Sequence, residues 1–223
     1  MEKQLSMEIF DLLKSNKGTV SSALGKDLAN KVLNGDLSIL QEAIKYVVFD
    51  LNNVNSKGIR AGAAKIIEKI AEKKPDLIAK DLDKLKPALN APEPQTRWML
   101  MQVFGFCAKL NPKESISVID FAKKYLTENA GVCLSGAVHL YLGRIGATSD
   151  NIANEVILIL DDSLKTATEN EIDWILEGFI NILDNLDSDS IEIVKKNAEI
   201  YLDSRKKSTQ DRAKKILKKI NAA

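Results

Sequence analysis

The residue types that carry most enzyme chemistry are scarce in this chain. Its 223 residues contain one histidine, His139, and two cysteines, Cys107 and Cys133. A histidine-based metal site needs several imidazole or thiolate ligands converging on one ion, and a lone imidazole does not make one. Cys133 precedes His139 by six residues. On a helix that is about 600° of rotation, so the two side chains point to different faces and a Cys–His nucleophile pair is disfavoured. His139 is expected inside a helix as a partly buried, hydrogen-bonded residue. Gly18 to Gly25-Lys26 has the outline of a phosphate loop, but six residues separate the glycines where four are required. Asp27 also stands where Ser or Thr is needed, and no strand precedes it. Asp161-Asp162 and Asp187-Ser188-Asp189 lack the central glycine and distal glutamate of a calcium loop and read as helix surface and helix cap. The sequence therefore predicts no catalytic residue, no metal and no cofactor.

The elements that must position these groups follow a repeat. Ile59-Arg60-Ala61-Gly62-Ala63-Ala64-Lys65-Ile66-Ile67 aligns with the stretch beginning Thr96-Arg97-Trp98-Met99-Leu100. The next register is Leu134-Ser135-Gly136-Ala137-Val138-His139, and the next Ile172-Asp173-Trp174-Ile175-Leu176. Apolar positions stay in register at a spacing of 37 or 38 residues, the signature of a repeat array. In this register Cys133 matches Gln95, twelve residues before Cys107. That is an axial offset of roughly 18 Å at 1.5 Å per residue, too far for a disulfide, which needs Cα atoms within about 7 Å. Two free, buried or half-buried thiols are expected.

Periodicity is helical nearly throughout. A helix at 2–15 precedes pairs at 20–34 with 36–52, 57–73 with 75–89, 94–110 with 112–127, 132–146 with 149–166, and 170–186 with 188–204. A last helix covers 208–221. Punctuation supports these bounds: Asn111-Pro112 starts a helix, Thr168-x-x-Glu171 and Ser208-x-x-Asp211 read as capping boxes, Gly35-Asp36 separates two helices, and Pro87 should end or kink its helix. The short connections predict antiparallel hairpins stacked side by side.

With Ile59-Arg60-Ala61-Gly62-Ala63-Ala64, and the similar Thr96-Arg97 and Asp211-Arg212-Ala213, the chain resembles the HEAT family of helical repeats, related to armadillo repeats. Ser135 and Asp173 hold the arginine position in the other two repeats, so a continuous arginine ladder is absent. The resemblance implies an all-α, right-handed α-solenoid of antiparallel helix pairs forming one domain over 1–223. It would comprise an N-terminal helix at 1–16, five repeats at about 17–54, 55–91, 92–129, 130–167 and 168–205, and a basic cap helix at 206–223. It also implies that the second helices line a concave side. Their outward residues include Lys80, Asp83, Lys113, Asp120, Lys124, Glu155, Asp162 and Glu192, a mixed surface that turns acidic toward the C-terminus. Trp98 and Trp174 stand two repeats apart at equivalent positions, with Gly136 between them. A helical wheel puts both rings opposite the buried arc, where two aromatics flanking a glycine dip would anchor a partner; the other reading has each ring closing over a neighbouring repeat.

Composition narrows the function. The chain is 45% hydrophobic and 28% charged with a formal net charge of +1, as befits a folded protein. No apolar run approaches the roughly 18–20 residues that span a bilayer, and no apolar signal core follows Met1, so a cytoplasmic location is expected. The small net charge hides a polarity. Residues 151–204 carry 3 Lys and Arg against 13 Asp and Glu, and residues 205–223 carry 8 against 1. These blocks either attract each other in the fold or serve opposite partners. Duplex DNA calls for a continuous basic stripe, and the expected concave face has none. The sequence reading is a non-enzymatic scaffold or adaptor that binds a protein or peptide, of undefined oligomeric state, with nucleic acid disfavoured. The alternatives are a HEAT-like DNA glycosylase for alkylated bases or an accessory subunit of a larger enzyme assembly.

Overall fold

A computed structural model describes the backbone of residues 2–15, 23–128 and 130–222, with side chains from residue 8 onward. Gly18 and the expected helix start at residue 20 lie outside the described residues. The described chain is all-helical, with no strand. Its helices are α1 Glu2–Ser15, α2 Ala23–Leu33, α3 Leu37–Val47, α4 Lys57–Lys73, α5 Asp76–Ala79, α6 Leu82–Leu85, α7 Pro94–Phe106, α8 Pro112–Ile116, α9 Ile119–Glu128, α10 Val132–Gly146, α11 Asp150–Leu164, α12 Glu169–Ile182, α13 Ser188–Ile200 and α14 Lys207–Ile220. The chain packs as two compact units, Met1–Glu114 and Ser115–Ala223.

Local signals set most helix ends. Thr168 and Glu171 form the reciprocal capping box at the start of α12, and the Asp187 side chain caps α13 through the Ser190 N–H at 2.8 Å. Two expected helices are broken. The stretch 75–89 becomes α5, α6 and a 3-10 turn, Lys86–Asn90. Pro87 accounts for the stop at Leu85, since its ring clashes with the carbonyl four residues back. The earlier break falls at Asp81, a residue type that prefers caps to helix interiors, and its carboxylate is tied to Lys84 at 2.6 Å. The stretch 112–127 is interrupted after Ile116. There the Ser115 carbonyl accepts a hydrogen bond from the Tyr141 hydroxyl at 2.7 Å, in place of the amide four residues on. The expected capping box at Ser208 is also absent: Ser208 turns its hydroxyl to Asp173 at 2.7 Å, and α14 has no side-chain cap.

In the N-terminal unit α4 is the central helix, packed by α1, α2, α3 and α7. Its opening run of small residues permits this crowding; a Cβ on Gly62 would lie 2.7 Å from the Leu13 side chain. Arg60 is fully buried. Its guanidinium makes a two-pronged pair with Glu93 at 2.9 and 2.7 Å and donates to the carbonyls of Phe49, Asp50 and Asn53. Asp50 has φ of +43°, so Arg60 pins a left-handed turn after α3 and the chain entering α7 with one side chain.

In the C-terminal unit α10 packs on α12 and α12 on α14, while α11 lies against α10, α12 and α13. Hydrogen bonds recur between residues 35 or 36 apart: Ser135 with Glu171, Ser190 with Asn154, Asn197 with Asp161, Thr209 with Asp173, and Arg212 with Glu177. The acidic and basic blocks meet here. Asp173, on α12, accepts from Ser208 and Thr209 and pairs with Lys206 at 2.9 Å, and Lys219 reaches Asp184 at 2.7 Å. Burial works to raise the Asp173 carboxyl, but hydrogen bonds from Thr209, Ser208 and Lys206 hold it below its ordinary value of 3.8.

Two outcomes follow. Leaving a buried charge unpaired costs about 3–5 kcal/mol, so Glu93→Ala should lower urea stability by about that amount, and a loss below about 1 kcal/mol would deny Arg60 this role. Asp173 has a depressed folded pKa, so its contribution is fully present above pH 3.8 and is lost as the pH falls through the folded value. The urea-midpoint difference between wild type and Asp173→Asn should be constant from pH 5 to 7 and shrink below about pH 4; a difference independent of pH would contradict the ion-paired docking of α14.

Candidate functional site

The C-terminal unit contains a cavity of about 790 Å³ bounded by α9, α10, α11, the start of α12 and the connection before it. One wall is apolar, formed by Tyr125, Leu126, Leu158 and Ile159. Tyr125 is buried whereas Leu158 is 61% exposed, so this wall runs from the core to the surface. The polar lining includes Ser135 and His139 on α10, Asp161 and Asp162 on α11, and Glu171 on α12, together with Lys123 and Lys165.

Helical spacing aligns the α10 groups. Ser135 and His139 are one turn apart, and His139 lies on the same stripe as Gly136 and Gly143. That stripe is where α12 approaches. A Cβ on Gly143 would sit 2.7 Å from the Gly178 Cα, and one on Gly136 only 2.5 Å from the Trp174 ring. Close contact along this stripe leaves His139 2% exposed.

The imidazole differs from the sequence expectation. It is almost completely buried, and among the described residues neither ring nitrogen has a hydrogen-bond partner. Burial pushes His139 down to about 4, against the opposing pull of Glu171. At neutral pH the ring is therefore uncharged, with one nitrogen a donor and the other an acceptor. Burial works to raise Glu171, but hydrogen bonds from Ser135 and Thr168 keep its carboxyl below the ordinary value, so it is ionised. One oxygen accepts from the Ser135 hydroxyl, and the other from the Thr168 amide at 2.8 Å and the Thr168 hydroxyl at 2.6 Å. The rim charges are paired: Asp162 with Lys165 and Lys123 with Glu155, each at 2.9 Å. Asp161 accepts from the Asn197 side chain at 2.6 Å.

Ser135 donates its hydroxyl to the Glu171 carboxylate and makes no hydrogen bond to His139, so it has no histidine base of the kind that activates a serine nucleophile. Among the described residues no three or more His, Cys, Asp or Glu cluster to hold a metal ion. Both cysteines are free. Cys107 is buried, and burial raises its thiol to about 12, which removes it as a nucleophile. Cys133 is exposed, not half-buried as the sequence suggests, because it stands at the first turn of α10 ahead of the packed stripe.

The sequence-derived candidates disperse. Lys80, Asp83 and Lys113 are exposed in the N-terminal unit, and Asp120, Lys124, Glu155, Asp162 and Glu192 are exposed in the C-terminal one; of these only Asp162 lines the cavity. Trp98 is half-buried with the Lys65 ammonium over its ring at 5.3 Å. Trp174 is half-buried and its ring lies on Gly136, so that glycine is a seat for the ring and not an open dip. Ser135, His139 and Glu171 were each visible in sequence as an arginine substitute, a lone histidine and a cap. Their convergence was not, although the spacing of Ser135 and Glu171 by 36 residues, close to one period, was the signal. A second cavity of about 410 Å³ in the N-terminal unit is lined by Lys26 and Asn30 of α2, Lys69 and Lys73 of α4, and Lys74. This basic grouping escapes a linear reading because two distant helices supply it.

No protein-family model matches the chain, and a comparison with curated proteins gives no match. Among solved structures the chain is similar to an engineered protein from the Northeast Structural Genomics Consortium, with a TM-score of 0.63 at 14% identity over 100% of this chain and 92% of the other. A second engineered protein from the same consortium gives a TM-score of 0.60 at 15% identity, covering 97% of this chain and 58% of that one. At such identities the likeness concerns the fold alone, and it agrees with an all-helical chain.

Proposed function

We propose that this chain is a non-enzymatic interaction module, a HEAT-like solenoid of antiparallel helix pairs acting in the cytoplasm, whose C-terminal cavity accepts a peptide segment of a protein partner. The observation that carries this reading is the cavity itself. It offers an apolar wall that reaches the surface at Leu158, a polar floor at Ser135 and Glu171, and a rim of exposed ion pairs. Its volume of about 790 Å³ falls in the range of about 300–1,000 Å³ typical of ligand sites. The hydrogen bonds between residues one repeat apart support the solenoid part of the proposal, because stacked repeats bring equivalent positions together.

The nucleic-acid alternative, including an alkylated-base glycosylase, has less support. Three carboxylates line the cavity against two lysines, and both lysines are already paired. Phosphate binding needs the reverse balance.

Selection of a displayed random-peptide library on the full chain tests the reading. Leu158→Glu alters only an exposed side chain, so it should leave folding intact and weaken the selected peptides at least about tenfold, equivalent to about 1.4 kcal/mol. Failure to enrich any peptide, or binding indifferent to Leu158→Glu, would remove the groove as a docking site.

A further inference from the structure

We propose that the C-terminal cavity is a receptor for the side chain of a lysine or arginine on the bound peptide, its cationic head held by Glu171, Ser135 and His139. This specificity rests on the peptide-binding reading above.

The unpartnered imidazole is the first argument. Leaving a buried polar group unsatisfied costs free energy, and both ring nitrogens of His139 are in that position. The neutral ring has one nitrogen able to accept an N–H from a ligand and one N–H for a peptide carbonyl. Glu171 adds charge and valence. A carboxylate has about four acceptor positions; Ser135 and the two Thr168 donors occupy three, so the oxygen that takes Ser135 has room for one more donor. The Ser135 oxygen also retains acceptor capacity. Every free position at this end of the cavity except one imidazole N–H thus calls for a donor, and an ammonium or guanidinium offers donors only.

The field points the same way. Asp161 and Asp162, on α11, also line the cavity. Asp162 is balanced by Lys165, whereas Glu171 and Asp161 are held by uncharged partners. A carboxylate or phosphate entering here would face Glu171 and Asp161, whose hydrogen-bond partners are uncharged, with the Lys165 charge shared between Asp162 and Asp161. Tyr125, Leu158 and Ile159 supply the apolar surface along which the methylene stem of a long basic residue lies while its head stays polar.

The single histidine makes the test direct, because its ring gives one set of NMR signals to follow. The full chain would be titrated with four capped pentapeptide libraries whose central residue is Lys, Arg, norleucine or Glu, and separately with free spermidine. The Lys and Arg libraries should shift the His139 ring signals saturably and bind at least tenfold more tightly than the norleucine and Glu libraries. Glu171→Gln should weaken the Lys library at least tenfold. Because Glu171 also caps α12, Ser135→Ala provides a second variant, and the comparison of Lys with norleucine needs no variant. Equal affinity for Lys and norleucine would overturn the charge specificity and leave peptide binding standing. Absence of binding by every library would overturn both. Spermidine matching the Lys library would overturn the assignment to a peptide side chain.

Discussion

The C-terminal unit depends on how closely α10 and α12 approach. Gly143 and Gly178 meet with so little space that a Cβ on the first would lie 2.7 Å from the Cα of the second, and Gly146 meets Ile182 in the same manner at 2.5 Å. Glycine in a helix interior costs about 1 kcal/mol relative to alanine. Three on one helix face make sense only if close packing returns more through dispersion and burial. The same seam explains the site. With the helices drawn together along Gly136, Gly143 and Gly146, His139 on the shared stripe is left only 2% exposed where it lines the cavity. The start of α12 is brought beside Ser135, so that the capping glutamate of one helix becomes the hydrogen-bond acceptor of its neighbour.

Three of the positions aligned in sequence each tie their helix to a later segment, in three different ways. In α4 it is Arg60, which reaches forward to Glu93 and closes a buried pair. In α10 it is Ser135, which donates to Glu171. In α12 the polarity is inverted: Asp173 accepts from Ser208 and Thr209 and pairs with Lys206. The inversion suits the final junction. The acidic segment has a basic helix packed against it, and α14 buries Thr209, Ala213 and Ile216 while leaving most of its lysines to solvent. Opposite charge on the two sequence blocks fixes which helix docks there.

Period and punctuation made most of the helices legible. The helix at 57–73 and the one at 132–146 agree with the structure in both bounds, because apolar spacing persists to their ends. Legibility failed where a tertiary partner overrode local preference. The break after Ile116 depends on Tyr141, 26 residues away, and Ser208 left its expected cap for Asp173. The sequence left two placements open for Trp174, and the structure has the one in which the ring closes over a neighbouring helix, on Gly136. A helical wheel assumes one buried arc, but a helix packed by α10, α11 and α14 has more than one dry side. The cavity was illegible as a whole, since its lining comes from four helices and a wheel describes one at a time.

The cavity has a fixed floor and an adjustable rim. Its floor is carried on α10 and α12, whose separation the glycines fix, so ligand entry requires little backbone reorganisation, and preorganisation of this kind is how a modest surface gains affinity. Its rim is different. The pairs Asp162–Lys165 and Lys123–Glu155 are exposed, and exposed ion pairs contribute only about 0–1 kcal/mol, so a partner can rearrange them cheaply. The one energetically unfavourable element is the unpartnered His139, and it stands at the floor and not at the rim. A buried polar group without a partner destabilises the empty fold more than the filled one. Any ligand able to satisfy it therefore stabilises the α10–α12 seam as it binds, which couples occupancy of the cavity to the stability of the C-terminal unit.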